Sequence, residues 1–77
     1  MNLFECEDGK KFMNDGDTTI VMGRSTLECG VRCEMFIDCY GYNFNVPQKL
    51  CSVFRGYMVG QAVVDANYRL CRLAFYT

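Results

Sequence analysis

Six cysteines hold most of the chemical potential of this 77-residue chain, at positions 6, 29, 33, 39, 51 and 71. Thiols at this density act as metal ligands, as a redox pair or as a disulfide framework. Structural zinc draws its ligands from two tight C-x2–4-C knuckles, often with histidine. Only Cys29/Cys33 has that spacing, and the chain has no histidine. No metal is therefore expected. A C-x-x-C redox motif is also absent. An even cysteine count in a short chain fits complete pairing, and a core this small needs staples of that kind.

Other chemistry finds little footing. Without histidine, a Ser/His or Cys/His dyad is impossible. Glu28 is assigned to a helix cap, Glu34 and Asp38 fall on the exposed side of a helix end, and no motif sets two acids over a pocket. Asp15 and Asp17 in NDGD invite a calcium reading, but an EF-hand loop starting at Asp15 would place Thr26 where its bidentate glutamate belongs. The expectation is a non-enzyme that carries no cofactor.

Eight Lys and Arg stand against nine Asp and Glu, a formal charge of −1. That balance argues against a nucleic-acid or polyanion binder. No run approaches 18 apolar residues, so no membrane span is expected. MNLFECEDGK lacks the basic-then-apolar character of a signal peptide. If the protein is secreted, its signal has been removed. Half the chain (51%) is hydrophobic, with five Tyr, six Phe and no Trp, which leaves apolar side chains for a partner to cover.

These residues need elements to position them. Residues 2–6 alternate as a short strand, followed by turns at Asp8-Gly9 and at NDGD, 14–17. TTIVM, 18–22, is a β-branched strand. Ser25 and Glu28 form a capping box that opens a helix over about 26–36. Two series recur in it every four residues: Leu27, Val31, Met35, and Cys29, Cys33, Ile37. CYGYNFNV, 39–46, alternates, with Tyr40, Tyr42, Phe44 and Val46 on an apolar face and Gly41, Asn43 and Asn45 on the other. A turn at Pro47 returns the chain through LCSVFR, 50–55. GYMVGQ is a loop, QAVVD a short strand and 68–77 a final strand. The expected fold is a single α+β domain over 1–77, a curved antiparallel sheet of about five strands crossed by one helix.

Cys29 and Cys33 share one helical face, so each needs a partner on the element packed beneath it. Cys33–Cys39 would close the short helix-to-strand connection, Cys29 would reach Cys51 on the returning strand, and Cys6 and Cys71 would tie the chain ends. Six cysteines allow fifteen pairings, and spacing only ranks this one first.

Ser25, Cys29, Cys33, Cys39, Tyr42, Asn43, Phe44 and Cys51, in STLECGVRCEMFIDCYGYNFNVPQKLCSVF, form a pattern that resembles the PAN/apple domain family. Cys6 and Cys71 resemble the extra terminal bridge of apple-type members. The resemblance implies a twisted antiparallel sheet of about five strands with one helix across it. It also implies nested pairing of Cys29–Cys51 and Cys33–Cys39, and an extracellular, non-catalytic module that binds proteins or carbohydrates. The basic clusters of heparin-binding members have no counterpart among the scattered Arg24, Arg32, Arg55, Arg69 and Arg72.

The candidate interface is Tyr57, Met58 and Val59 in the glycine-bracketed loop, with Asn43, Asn45, Phe75 and Tyr76; Met22 and Met35 are further candidates. The leading expectation is a secreted module that recognises a protein partner. A glycan-binding, lectin-like domain is the second, and a self-associating subunit of a dimer or filament is the third.

Overall fold

A computed structural model describes residues 4–74. Phe75 and Tyr76 lie outside the described residues. Strands β1 (Phe4–Asn14) and β2 (Asp17–Met22) precede helix α1 (Thr26–Glu34). Strands β3 (Cys39–Asn45), β4 (Leu50–Arg55) and β5 (Gly60–Leu73) follow it. The five strands form one antiparallel sheet in the order β1-β5-β3-β4-β2. Strands hold 62% of these residues, so the fold is a sheet carrying one helix rather than an even mixture of α and β.

The helix begins where the sequence places it. The Ser25 hydroxyl accepts from the Glu28 N–H at 3.2 Å. The Glu28 carboxylate reaches back to the N–H of Arg24 at 3.1 Å, so the turn before the helix is held as well as its first residues. Met35 is the C-cap, and the helix stops short of the expected residue 36. Cys29, Gly30 and Cys33 face the sheet. The other series points outward, with Leu27, Val31 and Met35 all more than half exposed.

Three disulfides fix this packing: Cys29–Cys51 from α1 to β4, Cys33–Cys39 from α1 to β3, and Cys6–Cys71 between β1 and β5. They match the first-ranked pairing. Around them Tyr42, Phe44 and Val53 are buried, with Phe4, Val21 and Phe36 packed at the margin. The Tyr42 hydroxyl donates to the Thr26 carbonyl at 3.0 Å, tying strand to helix. The approach is close enough at Gly23 that a Cβ there would overlap the Cys51 sulfur.

The opposite face is also covered, which the sequence did not foretell. Asp8-Gly9 is not a turn. Gly9, at φ 74°, sits in a bulge, and β1 runs on to Asn14. QAVVD is not a separate strand but the first part of β5. Residues 10–14 pair with 60–64, and this two-stranded arm packs over the sheet. Phe12 packs there with Phe54, their ring centroids 5.5 Å apart, and with Leu70 and Met58. Asn43 projects from β3 into this layer. Its Oδ1 accepts from the Phe12 N–H, and its Nδ2 donates to the Phe12 carbonyl, both at 2.9 Å. The amide therefore completes a strand edge that, among the described residues, has no third strand beside it.

Candidate functional site

Tyr40 leaves the row in which its alternation placed it. The register slips between Cys39 and Gly41, with Cys39 opposite Arg55 and Gly41 opposite Phe54. Such a slip re-aims one side chain. Tyr42 and Phe44 stay in the core, but Tyr40 is 40% exposed. It stacks on Tyr57, the ring planes 6° from parallel and the centroids 6.4 Å apart.

The loop that carries Tyr57 is anchored at both ends. The Gly56 N–H donates to the Asp38 carbonyl at 2.7 Å. Val59 accepts from the Asp15 N–H at 2.6 Å and donates to Asn14 Oδ1 at 2.9 Å. Met58 is half-buried and packs on Phe12, Phe54 and Leu70. Tyr57 between them is 83% exposed. A large aromatic is thus held outward by a fixed backbone.

The tyrosine pair walls a groove of about 530 Å³, lined also by Phe12, Met58, Gly60, Arg72 and Leu73. Its floor is apolar, and among the described residues its one cation is Arg72, which is 3.7 Å from Glu7 and about half exposed. Apolar walls with a few placed polar groups are the usual composition of a recognition pocket. All six cysteines are bridged, so no thiolate is free to serve as ligand or nucleophile.

Of the residues singled out in the sequence, the structure brings Tyr57 and Met58 to the groove, while Val59 is 54% exposed and outside its lining. Asn43 is only 2% exposed and spends its amide on Phe12, so it is not a surface residue. Asn45 holds its own turn, bonded to Gln48 and to the Tyr68 hydroxyl. Met22 and Met35 are exposed but away from the groove. Tyr40, Phe12, Arg72 and Leu73 are groove residues the sequence reading missed. Tyr40 was hidden by the bulge, and the other three lie far from Tyr57 in the chain.

The charged groups nearby have structural partners. The guanidinium of Arg55 bonds Asp38 at 2.5 Å and holds its carboxyl below the ordinary carboxylate range. Arg69 does the same for Asp8 and also donates to the Thr26 hydroxyl at 3.2 Å. Burial pushes the Tyr42 phenol up to about 12. No protein-family model matches the chain, and no curated protein matches it in sequence. Among the described residues, no helix is long and apolar enough to cross a membrane.

Proposed function

We propose that this protein is a PAN/apple-like, non-catalytic recognition module that acts outside the cell and binds a protein partner through the Tyr40–Tyr57 groove. The observation that carries the reading is Tyr57, 83% exposed on a loop anchored at both ends and stacked on Tyr40. Rigid aromatics beside a guanidinium are the side chains that dominate binding energy at protein interfaces. Little entropy is lost when such a pair is covered, because its loop is already ordered. Three bridges in so small a chain fit an oxidising compartment. The nested bridges from helix to sheet support the PAN/apple-like reading.

The test is affinity capture from the extracellular fluid of the source, with the folded domain and its Tyr57→Ala variant immobilised in parallel. A protein retained by the first and lost by the second is the expected result. Equal capture by both overturns the site. Capture that vanishes after deglycosylation of the fluid, together with hits on a glycan array, replaces the protein partner with a sugar.

A further inference from the structure

The two edges of the sheet are built differently. The β1 edge carries Glu5, Glu7, Asp8, Lys10 and Lys11, and is bulged at Gly9. Charges and bulges are how sheets keep other strands away. The β2 edge, DTTIVM, has no proline, no bulge and no charge beyond Asp17 at its start. It pairs with β4 on one side, and among the described residues no strand lies beyond it. Ile20 is 63% exposed and Met22 73% exposed on the face turned from the helix. β-branched residues on an open, unguarded edge are a template for another strand.

We infer that β2 pairs antiparallel with β2 of a second copy, making a twofold dimer with one continuous ten-stranded sheet. This surface is separate from the groove, so the inference goes beyond the reading of that site. An axis normal to the sheet requires one residue to face its own copy and puts both helices on the same side. Centring the axis on Ile20 pairs Thr18 with Met22, and Thr19 with Val21, across the junction. Ile20 then packs on Ile20, and Met22 on the threonine methyl. Asp17 comes opposite Gly23 and beside Arg24 of the other copy, at both ends of the junction. Centring on Thr19 pairs as many residues but sets Asp17 against Val21 and leaves Met22 uncovered. The charges thus select the register and the partner together: this strand is complementary to itself.

The test is light scattering coupled to size exclusion on the intact, oxidised chain over a concentration series. Twice the 8.9 kDa chain mass is expected at high concentration. Ile20→Lys sets two like charges directly opposite and should weaken the dimer about tenfold or more. Asp17→Arg and Arg24→Asp should each weaken it, and the double exchange should restore it, an outcome that misfolding of a single variant cannot imitate. A chain that stays monomeric to about 1 mM overturns the inference. So does a dimer that Ile20→Lys leaves intact, or a double exchange that restores nothing.

Discussion

Asn43 joins the two layers of the fold, and removing its amide measures how much the second layer depends on it. Asn43→Ala deletes two hydrogen bonds of 2.9 Å and leaves the N–H and carbonyl of Phe12 without partners. Phe12 is 8% exposed, so water replaces them poorly. A buried backbone group left unpaired costs about 1–3 kcal/mol. Two of them give a loss of about 2–6 kcal/mol, a large part of the roughly 5–15 kcal/mol that holds a small domain. Urea denaturation followed by circular dichroism, disulfides intact, reads this directly. Asn43→Asp sharpens the test. A carboxylate still accepts from the Phe12 N–H but faces the Phe12 carbonyl with no proton to give. Folding then raises its pKa, because the neutral acid alone can donate. The penalty is full above that raised value, shrinks as pH falls from it toward the unfolded value of about 3.9, and is gone below that. The stability gap between wild type and Asn43→Asp should therefore close in acid. A loss under about 0.5 kcal/mol for Asn43→Ala, or a pH-independent gap for Asn43→Asp, refutes the clamp.

Four further outcomes are expected. Limited reductant should open Cys6–Cys71 before the inner bridges, because Cys6 is exposed while Cys29 and Cys51 have no exposure; alkylation and peptide mapping of the first reduced species identify the pair. On the chain-entropy relation the bridges are worth about 4 kcal/mol for Cys6–Cys71, about 3 for Cys29–Cys51 and about 2 for Cys33–Cys39, so paired alanine variants should rank in that order in urea. Gly30→Ala should stabilise the domain by about 0.5–1 kcal/mol, since helix propensity favours alanine and a Cβ there meets the Tyr42 hydroxyl at an ordinary 3.4 Å; a lower unfolding midpoint would contradict this. Ultraviolet titration should show one tyrosine ionising near pH 12 and lost in Tyr42→Phe, and stability should fall above pH 10, where the unfolded phenol ionises first.

The cysteine framework was legible because helical spacing is local. Cys29 and Cys33 fall on one face by periodicity, and chain length then ranks their partners. The Ser25–Glu28 cap and the hairpin around Pro47 were legible for the same reason. Local patterns did not reach the second layer. Asn43 read as a surface residue because its neighbours on that face are Gly41 and Asn45, while the backbone it clamps lies 31 residues earlier. Gly9 read as a turn because a bulge and a turn both use positive φ, and only the continued pairing with β5 separates them. Tyr40 read as core because alternation counts residues and a register slip does not show in the count. The Leu27, Val31 and Met35 series met the usual rule for a buried face, yet the bridged cysteines claim the sheet instead.

Hydroxyl-radical footprinting of the complex with the captured partner tests the groove most directly. Tyr40, Tyr57 and Met58 are oxidisable, and so is Met35, on the outward side of the helix. Protection of Tyr57 and Tyr40 with Met35 still labelled is the expected result. Tyr57 and Tyr40 labelled as in the free domain, with protection moved to Met35, would place recognition on the helix and contradict the assignment of the groove.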